Sequence, residues 1–416
     1  MELIHTKSKT KTILHMDGDA FFVGVEVAKN PALKGLPVVT GEERGIASAF
    51  SYEAKALGIT RGMPIFRIKK EFPEVIVLPG DYNSYAKYSS MMFDIVRRYA
   101  DDVEEYSIDE CFADLTGLDK PLKMTYLEIA ERIKREVNEE LGLSVTIGLA
   151  PTKVLAKVAS KWVKPNGLTT LTEETAPEFL STFAIDKIWG IGPRTAEALK
   201  KKGIYTARGF ANKEISWVKE NFSKPYEDIW KELNSKMVMS IDPVPKTEYS
   251  SIQKTRTFHP STDDEAFLFS QLSKHIEDAC GKARHYAMTP KKFSIFLKDQ
   301  NFTITSTLIQ LATPTNSPEI LISLSETKWK EIYRKGVMYR TAGVTLMDLS
   351  SHVMIQGDLF GDTDKADKWS AIHTQLDRLE NKFGHRVVHL GSTQQALGHK
   401  EKGTDADIEG RDLLFM

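Results

Sequence analysis

Ile13-Leu14-His15-Met16-Asp17-Gly18-Asp19 and Ser107-Ile108-Asp109-Glu110-Cys111-Phe112 are the two stretches on which the fold of this chain turns. Each sets carboxylates against apolar residues that belong in a core, where a strand should end or turn. Buried carboxylates are costly unless they are paired, protonated or bound to cations. Two segments of similar form, far apart in sequence, suggest neighbouring strands that bring their acids to one site. Oxygen-only ligands suit Mg²⁺ rather than zinc or copper. The competing reading is a pair of unrelated strand-end turns, where Asp and Gly are common.

The chain has 416 residues, 41 % hydrophobic and 27 % charged, the mixture of an ordinary globular protein. That length suggests about two to four domains. Lys+Arg 56 against Asp+Glu 57 leaves a net charge of −1, so no global basic bias announces a nucleic-acid partner. Local patches remain: Lys200-Lys201-Lys202 and Lys291-Lys292 are basic, and Asp358, Asp362, Asp364 and Asp367 are acidic. Polyanion binding depends on the patch presented rather than on the total. The two cysteines, Cys111 and Cys280, lack ligand or disulfide spacing, which argues against a zinc module and fits a reducing cytoplasm. No signal-like start and no apolar run of about 18 residues occurs, so a soluble, cytoplasmic chain without a membrane partner is expected.

Residues 13–17 read as a buried strand, followed by a helix through Phe21, Phe22 and Val25 to Asn30-Pro31. Val38-Val39, Ile46-Ala47 and Ile76-Val77-Leu78 read as short strands. Ser51 to Leu57 reads as a short helix closed by Gly58. Periodicity predicts helices over 82–99 and 126–141, a strand pair over 103–115, a strand over 144–149 and a helix over 153–161. Strands and helices do not alternate strictly, so the fold class expected is a multidomain α+β one. From about Thr175 to Ile241 the chain reads as nearly all helical, with Gly190-Ile191-Gly192-Pro193 as punctuation, and Asp242-Pro243-Val244-Pro245-Lys246 as an extended linker. Residues 250–350 read as a second α+β unit, with strands at 293–297 and 320–324 and helices at 265–286 and 326–336. The stretch after Ser351 is polar, with a helix expected from Trp369 to Phe383.

Read together, these motifs resemble the Y-family DNA polymerases, the translesion group that includes bacterial DNA polymerase IV and the catalytic subunit of polymerase V. The likeness runs from about Lys11 to about Phe360, and its most specific mark is Ser107-Ile108-Asp109-Glu110 paired with Asp17. It implies a right-hand polymerase: palm over 1–30 and 81–174, fingers over 31–80, and a helix-hairpin-helix thumb over 175–241. A linker follows over 242–249, then an α+β little finger over 250–350 and a tail over 351–416. It implies a template-directed enzyme that adds a nucleotide from a dNTP to a primer 3′-hydroxyl with two Mg²⁺, Mn²⁺ being able to substitute. It also implies no proofreading nuclease, and no unassigned region is large enough to hold one. Primer-template DNA and dNTP would be its partners and a monomer its state.

The resemblance assigns residues position by position. Asp17 and Asp109 would bridge the two ions, Glu110 would hold the one nearest the primer, and Gly18 would offer its carbonyl. Asp19 would be a structural acid rather than a ligand. Tyr52 and Lys55, a helical turn apart, would face the triphosphate; the family often has Arg where Lys55 stands, and a lysine binds as a point charge rather than a fork. Lys164 of Lys164-Pro165-Asn166-Gly167 would also touch the triphosphate, while Lys153 and Lys157 would be helix-surface charges. Phe21 and Phe22 would lie at the bound nucleotide, Phe22 as the steric gate against a 2′-hydroxyl; core is the competing reading, and Phe21 fits it better. Gly190, Gly192, Arg194 and Thr195 would hold duplex backbone through a hairpin of N–H groups. Lys254, Arg256 and Arg340 would track phosphates. Small residues Gly45, Ala47, Ser48 and Ala49 would form a loose roof over the nascent pair, with bulkier Ile46 among them. Gln356, Leu359 and Phe360 resemble a sliding-clamp-binding peptide, a small contact with the body being the alternative. Asp412-Leu413-Leu414-Phe415 is a weaker echo of it. Lys55-Ala56-Leu57-Gly58 leans toward the polymerase V-like branch. Two other classes stay open: a nucleotide cyclase with paired carboxylates, and a non-catalytic DNA- or clamp-binding protein.

Overall fold

The computed structural model describes residues 11–244, 248–351, 362–383 and 386–398. They fall into two compact units that divide at residues 245 and 246. The first carries eight strands: β1 (Ile13–Gly18), β2 (Val38–Thr40), β3 (Ala49–Phe50), β4 (Ile76–Leu78), β5 (Val103–Glu105), β6 (Glu110–Asp114), β7 (Val145–Ala150) and β8 (Leu168–Thr170). Five of them form a sheet in the order β5-β6-β1-β7-β8, with β1 at its centre and antiparallel to both neighbours.

Side chains alternate across a strand, and β1 uses both faces. Leu14 and Met16 enter the core built with the helices Tyr82–Arg97 and Tyr126–Leu141. Ile13 enters the opposite core, formed with the helix Lys153–Ala159 and the helices that follow residue 175. His15 and Asp17 share that second face by parity. Covering both faces explains why all six residues of β1 are buried. The helix Lys153–Ala159 lies so close to the sheet that a Cβ on Gly148 would stand 2.1 Å from the Ala156 carbonyl oxygen. Only glycine permits that approach. The helix Tyr126–Leu141 starts in a capping box made by Thr125 and Glu128, and buries Ile129, Ile133 and Val137 at helical spacing. A separate three-stranded sheet, β3-β2-β4, carries the short helix Tyr52–Ala56, capped by the Ser51 hydroxyl. Ile46-Ala47 is not a strand: Ile46 makes one bridge to Pro64, and the pairing segment is Ala49–Phe50.

The second unit holds β9 (Ser251–Thr262), β10 (Lys292–Asp299), β11 (Ile304–Gln310) and β12 (Tyr339–Met347), ordered β11-β10-β12-β9 and antiparallel throughout. The helices Glu265–His285 and Pro318–Ile332 share a core with Ile252, Phe293, Ile295, Val344 and Leu346. Residues 320–324, expected as a strand, lie inside the second of these helices. A short apolar run cannot declare its period, and Pro318 in the first turn with Leu321, Ile322, Ser325 and Trp329 buried shows the helical one. The strand actually present, β11, is largely exposed and rich in Thr and Ser, so no apolar pattern marked it. The tail helix begins at Asp362, earlier than Trp369, and runs to Phe383. Arg284 holds it by two 2.8 Å bonds to Asp377, and Glu319 meets His373 at 2.9 Å.

Candidate active site

The register of the five-stranded sheet sets Asp17 directly across from Glu110, and His15 across from Phe112. Asp109 precedes β6; its carbonyl accepts the Gly18 N–H at 2.8 Å and its carboxylate accepts the Ser107 hydroxyl at 2.7 Å. Two sequence-distant acids thus become neighbours because one residue of antiparallel pairing puts them on the same face. All three line a cleft of about 510 Å³ together with Gly18, Phe21, Phe22, Tyr52, Lys55, Arg61 and Lys164.

Crowding and burial set the charges here. Burial first, then Glu110 and Asp109, push the Asp17 carboxyl up to about 7 against the pull of Lys164. Burial and Glu110 also push Asp109 up. Glu110 goes the other way: burial opposes it, yet the His15 ring and the Lys157 ammonium hold it well below the usual carboxylate range. Burial lowers His15 to about 4, against the attraction of Glu110.

Each outer acid has a lysine on it. Lys164 contacts Asp17, and Lys157 contacts Glu110. Among the described residues no three acidic or histidine side chains converge closely enough to hold a metal ion as they stand. The donor set still fits a hard divalent cation: it is all oxygen, and Asp17 and Asp109 are carboxylates raised chiefly by burial, a cost that a bound cation would offset.

Asp19 is used differently. Its carboxylate accepts the Ser144 and Thr146 hydroxyls at 2.8 Å each, the Asn166 N–H at 2.8 Å and, at 3.5 Å, the Tyr52 hydroxyl. It therefore ties the loop bearing Lys164 and the helix bearing Tyr52 to the end of β1. Lys134 fastens the same loop through the Gly167 carbonyl at 2.9 Å. On the Tyr52–Ala56 helix, Lys55 lies 5.7 Å over the Tyr52 ring. Phe22 stacks on Tyr85 at 4.3 Å and meets Tyr82 edge-on at 5.8 Å, while Phe21 is 3 % exposed in the core.

Two assignments need correction. Lys153 and Lys157 are not surface charges: they are 5 % and 6 % exposed, and Lys153 donates to both oxygens of Glu104 at 2.7 and 2.6 Å. A lysine at a helix face usually reaches water, but these two sit on the face that Gly148 draws against the sheet. Lys254 and Arg256 were expected to follow phosphates in a group with Arg340. On β9 they share parity with buried Ile252 and Phe258, so they lie on the helix side of the sheet; the exposed face carries Thr255 and Thr257. That alternation was visible in the sequence. Arg340 lies 4.3 Å over the Phe302 ring.

Gly190 has φ +85°, and a Cβ there would meet Ile229 at 2.7 Å, so the turn requires glycine. Gly192 precedes the helix Pro193–Lys201, which carries Arg194 and Thr195; the Thr195 hydroxyl is bonded to Tyr226 at 2.8 Å. Gln356, Leu359 and Phe360 lie outside the described residues, as does Asp412-Leu413-Leu414-Phe415. Arg61, Ser107, His15 and Lys157 are site residues the sequence reading missed. Ser107 opens the motif Ser107-Ile108-Asp109-Glu110, and a His within an otherwise apolar strand was a signal, whereas no motif marks Arg61.

The impB/mucB/samB family model matches residues 16–161, its C-terminal domain model matches 249–359, and the IMS family HHH motif matches 173–204. DNA polymerase IV 1 of Bacillus subtilis (strain 168) is 32 % identical over 405 residues, covering 95 % of this chain and 96 % of that protein. DNA polymerase IV of Dehalococcoides mccartyi (strain CBDB1) is 30 % identical over 394 residues, covering 92 % and 97 %. Both carry the polymerase IV name, against the lean of Lys55-Ala56-Leu57-Gly58. Among solved structures, a Y-family DNA polymerase chimera, Dbh-Dpo4(243-245)-Dbh, superposes with a TM-score of 0.68 at 26 % identity, covering 82 % of this chain and all of its own. An insertion ternary complex of Dbh DNA polymerase gives 0.54 at 25 % identity, with 82 % and 100 % covered. Similarity that runs nearly end to end, on a sheet whose register pairs the acids, settles the matter: the chain belongs to the Y family and is a DNA-directed DNA polymerase of the translesion type.

Proposed function

We propose that Asp17, Asp109 and Glu110, with the Gly18 carbonyl, hold two Mg²⁺ ions, Mn²⁺ being able to substitute, and that this cleft adds dNMP to a primer 3′-end. The observation that carries the reading is the cross-strand placement of Asp17 and Glu110, with Asp109 adjacent, inside a cleft also lined by Phe22, Tyr52, Lys55 and Lys164. Bound divalent ions supply stabilisation of charge on the attacking and leaving oxygens. The protein supplies the rest. Lys164 and Lys55 meet the triphosphate as point charges, and the Tyr52 hydroxyl, tethered to Asp19, orients beside them. Phe22, backed by Tyr85, fills the space a 2′-hydroxyl would need.

Residues 1–30 and 81–174 act as palm, 31–80 as fingers, 175–241 as thumb, 242–249 as linker, 250–350 as little finger and 351–416 as tail. Gly190 and Gly192 offer backbone N–H groups to duplex phosphates, with Arg194 and Thr195 beside them. In the second unit Arg340, over the Phe302 ring, tracks duplex phosphates. Gln356, Leu359 and Phe360 dock a sliding clamp. Among the described residues no helix is long and apolar enough to cross a membrane. Work on DNA in the cytoplasm, as a monomer, is part of the same proposal. Primer extension with Asp109→Ala tests the site: incorporation should fall to background while DNA binding persists. Incorporation at the wild-type rate would remove Asp109 from the mechanism. A cyclase would act on a nucleoside triphosphate without primer, and the same assay without DNA separates the two.

A further inference from the structure

The helix Lys153–Ala159 buries two lysines one turn apart, and polymerase chemistry as set out above uses neither. Both ammonium groups stand against the same aromatic rings. Lys157 lies 4.2 Å over Tyr106 and 5.2 Å over Trp189, and Lys153 lies 4.8 Å over Phe112. The rings are locked together, the Trp189 indole N–H donating to the Tyr106 hydroxyl at 2.8 Å. Ring faces attract cations, and a dry wall strengthens the attraction. The two lysines differ in what they grip: Lys153 closes on Glu104, away from the cleft, whereas Lys157 closes on Glu110.

Lys157 takes one carboxylate oxygen of Glu110, Oε2, which also faces His15 Nε2 at 3.5 Å. A divalent ion drawn to Glu110 therefore meets a fixed positive charge on the far side of the same carboxylate. The ammonium cannot swing to water, because Lys157 is 6 % exposed and ring-walled.

We propose that Lys157 is a positioning residue, a built-in counter-cation that holds Glu110 by one oxygen and weakens divalent-ion binding there until DNA is present. This rests on Glu110 being a metal ligand. Free of primer, the acid is already neutralised by the protein, so the site keeps its shape without an ion. Loading of the primer-side ion then depends on the further negative charge that the substrates bring.

The test is Mn²⁺ titration of the DNA-free, full-length enzyme, followed by the electron paramagnetic resonance signal of the free ion. Lys157→Met should bind Mn²⁺ about tenfold tighter than wild type, since the ammonium that competes with the ion for the Glu110 carboxylate is gone. Lys157→Gln should do the same, and a gain in affinity cannot come from damaged packing. Lys153→Met removes the companion charge from the same cage but leaves Glu110 gripped, so it should titrate like wild type. Lys157→Met and Lys157→Gln binding no tighter than wild type would overturn the proposal, as would an equal gain in Lys153→Met. Glu110→Gln separates the two levels of the argument: it should weaken Mn²⁺ binding. If it does not, the reading of Glu110 as a ligand fails first.

Discussion

Gly148→Ala should destabilise this protein strongly, because the single added methyl has no room. The added Cβ would stand 2.1 Å from the Ala156 carbonyl oxygen, 2.4 Å from the Ser160 amide nitrogen and 2.8 Å from the Ala159 Cβ. Ordinary contact begins at roughly 3.5 Å, so the helix Lys153–Ala159 must withdraw by roughly 1 Å. The two nearest atoms are backbone, and all seven residues of that helix are buried, so no loose side chain can yield instead. Overpacking costs about 1–3 kcal/mol, and a backbone clash of this depth belongs at the top of that range. About 3 kcal/mol corresponds to a fall in Tm of roughly 10 °C for a unit of this size. Thermal melting followed by circular dichroism reads it, with Gly192→Ala as the comparison. At Gly192 nothing lies within 4 Å of an added Cβ and φ is −76°, so that variant should stay within about 0.5 kcal/mol of wild type. Because Lys157 and Ser160 ride on or beside the displaced helix, Gly148→Ala should also lose primer extension at temperatures where it remains folded. A Gly148→Ala protein melting within about 2 °C of wild type would refute the reasoning, since the helix would then not be pinned to the sheet.

Phe22→Ala should raise ribonucleotide incorporation at least about tenfold relative to deoxyribonucleotide, by opening the space against Tyr85; an unchanged sugar preference in single-nucleotide insertion would return that ring to the core. Asp17, with its carboxyl pushed up to about 7 chiefly by burial, should make divalent-ion affinity fall about tenfold for each pH unit below 7. Its folded value lies above the unfolded one, so it stabilises the metal-free fold below the unfolded value, and that contribution is lost as pH rises through about 7. Mg²⁺ should therefore raise Tm more at about pH 8 than at about pH 6; an equal rise at both, or the same pH dependence in Asp17→Asn, would remove Asp17 from the ion's ligands.

Much of the first unit was legible because its elements carry unambiguous punctuation. The helix Tyr126–Leu141 was bounded by Thr125 and Gly142 and buried at helical spacing, and it has the bounds expected. The strand β1 announced itself by an apolar run ending in acids. What was hidden depended on tertiary neighbours. Residues 320–324 are equally apolar as helix or strand, and only packing against the sheet of the second unit chooses between them. β11 has little core to announce, since its backbone pairing holds it at the sheet's edge. Within the site, Asp17 and Glu110 could be suspected of meeting, but their register could not be counted from sequence. Lys157 was misread because nothing local distinguishes a lysine facing rings from one facing water. Its placement follows from Gly148 and from Trp189, which come from other parts of the chain.

Asp19 carries a consequence for anyone who maps the cleft by substitution. Its four partners, Tyr52, Ser144, Thr146 and Asn166, come from three separate segments that this carboxylate ties together. Replacing it would leave the sheet standing and the three acids in place, yet loosen the lysine loop, which Lys134 would still hold at Gly167, and free the Tyr52 hydroxyl. Such a variant would be inactive for want of architecture, and in a turnover assay it would be indistinguishable from one that had lost a ligand. Rate alone therefore cannot sort the acids of Asp17-Gly18-Asp19. A cation titration can, because a bolt and a ligand part company there: the ligand's loss empties the site, while the bolt's loss leaves the acids able to take up an ion.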